Sequence, residues 1–433
     1  MYLGPARGEG DRKMLSREDN ELMCRVGAGT AMGAALRRYW LPALQSSDLA
    51  EAGGDPRRVE LLGQTFVAFR GTDGRVGILD EFCPHRAASL VLGRVEECGL
   101  RCVYHGWKFD ADGKALETPN VSDAKFSQRL KAKAYPVHEA GGLIWTYLGP
   151  PEKRPEFPAW PWLQVPARHR LTSVHTVNCN FVQILEGLVD STHLNVLHTD
   201  GLRSSEGAEL EWAHKARLLA ADGAPKLEAA RTPYGFQYAA IRSPVEGSGE
   251  GAHARITAFA VPCTVFNANG DIVTLVVPAS DERSSFYHVF WDDVRAIGEE
   301  PLSREHLKFL GLDRDTLETA GITAELAATS RAPSHANRFH QDRTLMRSGR
   351  SFSGLPGVIA EDVAVSVSAG PIRDRTREML SCADVAVSML HRVLLTSAKA
   401  AQRGEDPIGV GEGIDTSTIQ GKTIYLKGSR QWQ

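Results

Sequence analysis

The sequence predicts an α+β fold, in which a small antiparallel β domain precedes a larger domain of antiparallel strands and helices. Over residues 59–148, short strand-like runs are separated by Asp-Gly and Gly-Gly pairs, which tolerate the positive φ angles of hairpin turns. Residues 149–162 contain five prolines, and this composition is typical of a stiff linker between domains. After the linker, strand-like runs come first and helical patterns follow, which favours an α+β domain over strict alternation of strands and helices.

The composition is that of an ordinary globular protein. The 433 residues are 42% hydrophobic and 24% charged, which argues against disorder. The formal net charge of -3 supplies no basic field for a nucleic-acid backbone. No apolar run approaches the roughly 20 residues of a membrane span, and residues 1–13 lack the apolar core of a secretory signal. The seven scattered cysteines suit a reduced compartment and metal ligation better than a disulfide framework. We therefore expect a cytoplasmic enzyme that binds neither nucleic acid nor membrane.

The elements follow in chain order. Residues 1–40 are predicted to form an N-terminal leader and a helix with Ser16 as its N-cap, and Met14 is an alternative start because residues 1–13 carry no periodic signal. We assign residues 41–150 to the β domain and residues 151–433 to the larger domain. In the larger domain we predict helices at 181–197 and 384–402, and strands at 210–219, 236–242, 254–266, 272–277 and 285–291.

Two Cys–His pairs lie in the β domain, each on a loop between predicted strands. Cys83-Pro-His85 is followed after sixteen residues by Cys102-Val-Tyr-His105, so two loops can enclose one metal centre. Two thiolates and two imidazoles are the ligands of a Cys₂His₂ zinc site or of a Rieske [2Fe–2S] cluster, in which the sulfurs bind one iron and the histidines the other. Zinc fingers usually pair cysteine with cysteine and histidine with histidine, so the mixed pairs favour the iron–sulfur cluster.

These loops resemble the Rieske domain of the Rieske non-haem iron ring-hydroxylating oxygenases, through residues 83–86, Gly93, residues 99–109 and Gly113. Residues 14–22 and 38–42 resemble the phthalate-dioxygenase-like group of terminal oxygenases in that family, and the resemblance extends from about residue 14 to about residue 399. It implies a Rieske domain followed by a helix-grip catalytic domain with a mononuclear Fe(II). It also implies electrons from a separate NAD(P)H-dependent reductase, commonly a flavin and iron–sulfur protein.

A second set of candidate ligands lies in the predicted helix at 181–197. Non-haem Fe(II) is usually held by two histidines and one carboxylate. Asp190 and His193 are three residues apart and share a helical face, whereas His193 and His198 are five apart. The two histidines therefore reach one ion only if the helix widens or ends between them. The spacing from Asp190 to His198 matches the family's iron motif, so the resemblance implies that His193 and His198 are ligands.

The third iron ligand is Asp362 by resemblance, because the group's pattern Asp-x₇-Gly-Pro-Ile begins there. Asp362 lies in an apolar run, where a carboxylate is costly unless a cation pairs with it. A helix cap is the alternative role for this residue. Glu361, Val367 and Ala369 depart from the Gln, Glu and Met that the group usually has, and these changes bear on the polarity of the pocket, not on the metal ligands.

The resemblance gives Asp190 a separate role. In the family the matching carboxylate bridges an iron-ligand histidine to a Rieske-ligand histidine of the next subunit, here His193 and His105. Such a bridge implies a homotrimer or a trimer-based hexamer, because each cluster serves the iron of a neighbouring subunit.

The substrate class implied by the resemblance is an aromatic carboxylate. Arg217, Arg242 and Arg255 lie in predicted strands and are candidates to bind its carboxylate bidentately. Hydroxylation, dihydroxylation and O-demethylation use the same metal ligands, so the motifs do not choose among them. A Rieske electron carrier with an inactive second domain is the alternative function.

Overall fold

The computed structural model describes residues 15–123, 125–204, 223–243, 252–268, 271–411, 413–426 and 432. The predicted strand at 210–219 and Arg217 lie outside the described residues. In the part of the chain that the structure describes, no helix is long and apolar enough to cross a membrane.

The β domain consists of three small antiparallel sheets with the orders β1-β11-β10, β2-β3-β4-β9 and β5-β6-β7-β8. The strands are β1 (Trp40–Gln45), β2 (Arg57–Leu61), β3 (Gln64–Arg70), β4 (Val76–Asp80), β5 (Arg94–Glu96), β6 (Gly99–Arg101), β7 (Lys108–Asp110), β8 (Ala115–Glu117), β9 (Ala134–Tyr135), β10 (Val137–Ala140) and β11 (Leu143–Tyr147). The predicted hairpins at Gly74, Gly113 and Gly142 are confirmed, and each of these glycines has a positive φ angle.

One large antiparallel sheet dominates the second half of the chain. Its order is β12-β18-β17-β16-β15-β14-β13, with β19 paired to β15. The predicted strand at 254–266 is two strands, because the turn between them contains Pro262, which lacks the N–H that an inner strand donates. The strands are β12 (Arg170–Val177), β13 (Lys226–Thr232), β14 (Gly235–Arg242), β15 (His253–Ala260), β16 (Thr264–Phe266), β17 (Ile272–Ser280), β18 (Arg283–Trp291) and β19 (Lys422–Tyr425).

The described residues also form twelve α-helices, some of which pack against this sheet. They are α1 (Arg17–Cys24), α2 (Ala31–Leu36), α3 (Phe126–Arg129), α4 (Pro161–Gln164), α5 (Phe181–Leu188), α6 (Leu194–Leu197), α7 (Thr199–Ser204), α8 (Leu302–Leu310), α9 (Arg314–Ala320), α10 (Arg343–Arg347), α11 (Val358–Ser368) and α12 (Val385–Gln402). Ser16 caps α1, as predicted. Helices α1 and α2 pack against α12, whereas α5 packs against α11 and β17.

The predicted helix at 181–197 is wrong as a continuous element. Helix α5 ends at Leu188, and the single turn α6 begins at Leu194. Between them, the Asp190 carboxylate accepts hydrogen bonds from the backbone N–H and the hydroxyl of Thr192. A side chain that binds the following backbone competes with the helical hydrogen-bond pattern, so the chain turns here.

Candidate metal centres

The first candidate centre lies between two tight loops of the β domain. Cys83 and His85 follow β4, and Cys102 and His105 lie between β6 and β7. The backbone N–H of Cys83 donates to Ala88 at 2.9 Å. The N–H of Cys102 donates to the carbonyl of Trp107 at 2.8 Å, which closes the second loop.

The four predicted side chains meet where these loops face each other. The imidazole centroids of His85 and His105 are 4.4 Å apart, and His85 stacks on Trp107 at 4.3 Å. Both cysteines are buried, whereas both histidines are half-exposed. The two sulfur atoms therefore lie inside the domain, and the two imidazoles lie toward its surface.

The chemistry of this donor set fits an iron–sulfur cluster. Burial raises the pKa of the Cys83 thiol to about 11, so a thiolate at this position needs a positive partner such as iron. Two thiolates and two imidazoles are the ligand set of a Rieske [2Fe–2S] cluster, in which the sulfurs bind one iron and the histidines the other.

The second candidate centre joins α6 to α11. His193 and His198 flank the single turn of α6, so the helix is short enough for both rings to face one point. The Nε2 atoms of His193 and His198 lie 3.7 and 3.2 Å from Asp362 Oδ1. Two imidazoles and one carboxylate match the ligand set of a non-haem Fe(II). The alternative role of Asp362 as a helix cap is wrong, because Gly357 is the N-cap of α11.

Each of the two histidines has a carboxylate next to its Nδ1 atom, on the side of the ring away from Asp362. Asp190 Oδ2 is 3.3 Å from the Nδ1 of His193, and Glu361 Oε2 is 2.8 Å from the Nδ1 of His198. A carboxylate accepts a hydrogen bond from Nδ1–H and so keeps the proton on Nδ1, which leaves the Nε2 lone pair of each ring for a metal.

The electrostatics of this centre favour a cation. Burial lowers the pKa of His198, but Asp362 and Glu361 outweigh burial and raise the pKa to about 10. Burial likewise raises the pKa of Asp362, and the neighbouring histidines bring the pKa below its usual value. The carboxylates therefore favour a positive charge at this centre, which either a proton or a metal ion can supply.

The centre opens into a cavity of about 380 Å³ between the large sheet and helices α5 and α11. This volume lies within the usual range for pockets that bind small molecules. Val177, Ile184 and Phe286 contribute apolar wall, and Arg255 and His288 contribute polar wall.

Two of the predicted arginines lie buried at this cavity or beside it. Arg255 on β15 lines it, and burial, followed by the charge of Arg242, lowers the pKa of Arg255 to about 10. Arg242 on β14 donates to the carbonyl and the hydroxyl of Ser191 at 3.3 Å, so it holds the turn before His193. The sequence contains no local signal for His288 or for the contact between Glu361 and His198, because both depend on distant parts of the chain.

Comparison with known proteins supplies the family. The model of the Rieske [2Fe-2S] domain matches residues 39–136, and the model described as LigXa C-terminal domain like matches residues 146–432. The phthalate 4,5-dioxygenase oxygenase subunit of Pseudomonas putida is 38% identical, over 94% of this chain and 91% of the relative. The chain belongs to the Rieske oxygenase family. The predicted resemblance to the phthalate-dioxygenase-like group is confirmed.

Other relatives of this Rieske oxygenase subunit support the same family assignment. The 3-chlorobenzoate-3,4-dioxygenase oxygenase subunit of Comamonas testosteroni is 35% identical, over 97% of each chain. The 5,5'-dehydrodivanillate O-demethylase oxygenase subunit of Sphingobium sp. (strain NBRC 103272 / SYK-6) is 30% identical, over 91% of this chain and 83% of the relative. The solved structure of Pseudomonas putida CBB5 NdmA with caffeine is 16% identical, with a TM-score of 0.61 over 93% of this chain and all of the other. It shares the fold, and the predicted α+β class is confirmed.

Proposed function

We propose that this chain is the terminal oxygenase component of a Rieske system that oxidises an aromatic carboxylate with O₂. A [2Fe–2S] cluster is held by Cys83, His85, Cys102 and His105, and a mononuclear Fe(II) by His193, His198 and Asp362. A separate NAD(P)H-dependent reductase supplies the electrons. The observation that carries the proposal is one cavity that contains both the His193, His198 and Asp362 group and the buried Arg255.

The cavity supports an anionic aromatic substrate. The guanidinium of Arg255 is buried, and a substrate carboxylate there forms charge-assisted hydrogen bonds in a medium of low dielectric constant. The apolar wall holds the ring and excludes water. When bound to these three residues, the Fe(II) would supply O₂ activation. The names of the relatives include both dioxygenases and an O-demethylase. Since hydroxylation, dihydroxylation and O-demethylation use the same metal ligands, the shape of the pocket decides among them.

Asp190 is proposed to connect the two centres between subunits. Its Oδ2 contacts His193, and 23% of its side chain is exposed, which leaves it accessible to His105 of a neighbouring subunit. This arrangement supports a homotrimer or a trimer-based hexamer, because each cluster then serves the iron of the next subunit. None of the seven cysteines, all of which lie in the described residues, forms a disulfide, which supports the proposed cytoplasmic location.

The function is tested by metal analysis and oxygen uptake on anaerobically purified protein. We expect a red-brown protein with about three irons per chain, two of them with acid-labile sulfide. With a reductase, oxygen uptake is expected to depend on a carboxylate from a panel of methoxylated, phenoxy-substituted and dicarboxylated benzoates. About two irons per chain without substrate-dependent uptake would support the electron carrier, and a colourless zinc protein would overturn both.

Replacing Arg255 with Gln is expected to raise the KM for the carboxylate substrate roughly 10- to 100-fold, because hydrogen bonds between charged groups are lost. The kcat is expected to change less, because the iron ligands remain. Arg231→Gln is the matched control, since Arg231 is an exposed arginine on β13 of the same sheet, and its KM should equal that of the wild type. Steady-state oxygen uptake measures both constants. An unchanged KM in Arg255→Gln would show that Arg255 does not bind the substrate carboxylate.

A further inference from the structure

The carboxylate of Glu361 is buried against one of the candidate iron ligands. Its side chain is 2% exposed, and its Oε2 accepts a hydrogen bond from the Nδ1 of His198 at 2.8 Å. Its other oxygen accepts from the hydroxyl of Ser353. The Ser353 hydroxyl in turn accepts from the backbone N–H of Leu355 at 3.2 Å. The carboxylate is therefore fixed at both oxygens.

Glu361 and Asp362 are consecutive residues of α11, so their side chains point about 100° apart around the helix. Asp362 faces the Nε2 atoms of the two histidines, whereas Glu361 passes behind His198 to its Nδ1. Two consecutive residues of one helix thus provide a candidate metal ligand, Asp362, and the carboxylate that binds a second candidate ligand, His198.

The two carboxylates behind the histidines differ in their surroundings. Asp190 is 23% exposed and lies 3.3 Å from the Nδ1 of His193, whereas Glu361 is almost fully buried and closer to its histidine. A buried carboxylate is costly unless a positive group compensates it. For Glu361 that compensation would come from a cation bound at the Nε2 of His198, to whose Nδ1 the carboxylate is hydrogen-bonded.

We propose that Glu361 is the positioning residue that keeps the mononuclear metal in place, and that Asp190 does not share this task. Glu361 holds His198 in the tautomer with a proton on Nδ1, aims Nε2 at the metal and raises the basicity of the ring. The proposal rests on the Fe(II) site of the proposed function, but its test requires neither substrate nor turnover.

The test is the rate at which anaerobic, Fe(II)-loaded protein releases its mononuclear iron to ferrozine. Glu361→Met conserves volume but leaves the buried Nδ1–H unpaired, and we expect release to be roughly 10- to 100-fold faster. Glu361→Gln keeps an acceptor oxygen and is expected to restore release to within about threefold of the wild type. Asp190→Asn, which alters the other supporting carboxylate, is the matched control and is expected to release iron at close to the wild-type rate.

Three results would overturn the proposal: wild-type release from Glu361→Met, release from Glu361→Gln as fast as from Glu361→Met, or equal acceleration by Asp190→Asn. The absorbance of the Rieske cluster reports whether each variant is folded. If Glu361→Met does not fold, Ser353→Ala is the deciding variant, because it removes the hydroxyl that donates to the Glu361 carboxylate. Faster iron release from Ser353→Ala would support the proposal, and unchanged iron release would overturn it. A wild type that retains iron but shows no substrate-dependent oxygen uptake would contradict the proposed function and leave this inference standing.

Discussion

Replacing Asp190 with Asn is expected to reduce turnover roughly 100-fold or more while both metal centres stay bound. In the native turn, Asp190 Oδ1 accepts from the N–H and the hydroxyl of Thr192 at 2.7 and 2.6 Å, and Oδ2 faces the Nδ1 of His193. The single oxygen of Asn can replace Oδ1 and preserve the turn. Its NH₂ group then faces Nδ1–H, so a donor meets a donor and the histidine loses the acceptor that fixes its tautomer.

The measurements are iron content, the visible spectrum of the cluster and oxygen uptake per iron. The matched control is Asp415→Asn, because Asp415 Oδ1 also accepts from the N–H and the hydroxyl of the residue two positions later, Ser417. Asp415 contacts no candidate metal ligand in the hydrogen bonds of the described residues, so its variant should turn over like the wild type. Full activity of Asp190→Asn with intact iron would refute the bridging role. Loss of iron together with activity would show that Asp190 serves retention instead.

Local sequence patterns predicted the parts of this protein that depend on neighbours along the chain. Gly74 and Gly113 adopt positive φ angles in the predicted hairpins, because each turn is determined by a few adjacent residues. The Cys–His pairs came from fixed spacing within two loops. Their meeting in space depends on the strands that flank them, and the placement of each pair on a loop between predicted strands already indicated one shared metal centre.

Contacts between distant residues could not be predicted in this way. The hydrogen bond between His198 and Glu361 joins positions 163 residues apart, and Arg255 reaches the cavity through the register of a seven-strand path in the large sheet. The sequence was also wrong about the helix at 181–197, because apolar periodicity continues through the turn where the side chain of Asp190 binds Thr192. The spacing of the histidines had nevertheless required a helix that widens or ends between them, and α6 satisfies that condition because it ends at Leu197, before His198.

Replacing Arg375 with Met is expected to destabilise the protein by about 3–5 kcal/mol, the usual cost of leaving a buried charge without its partner. The partner is Glu186 on α5, which is buried and contacts both the Arg375 guanidinium and the His391 ring on α12. Arg375 also donates to Asn20 on α1 at 3.0 Å. The network therefore ties the N-terminal and C-terminal helices to the helix that leads into Asp190, and iron retention is expected to fall with stability.

Urea denaturation measures the free energy of unfolding of Arg375→Met. Arg373→Met is the matched control, since Arg373 also contacts Glu186, at 3.3 Å, but is 27% exposed and is expected to cost less than about 1 kcal/mol. The double variant Glu186→Gln/Arg375→Met should recover part of the loss, because the unpaired charge is gone. If Arg375→Met lowers the free energy of unfolding by less than about 1 kcal/mol, the network does not hold these helices together.

The same network predicts a dependence of stability on pH. Burial raises the pKa of Glu186, but Arg375 and His391 outweigh burial and lower the pKa to about 2. A carboxylate whose folded pKa lies below its unfolded value of about 4.3 stabilises the protein above that value. This stabilisation is lost as pH falls from about 5 toward 2. In Arg375→Met the pKa of Glu186 rises, so this acid dependence should shrink or reverse, whereas Arg373→Met should keep it. An unchanged acid profile in Arg375→Met would show that the guanidinium does not hold the charge on Glu186.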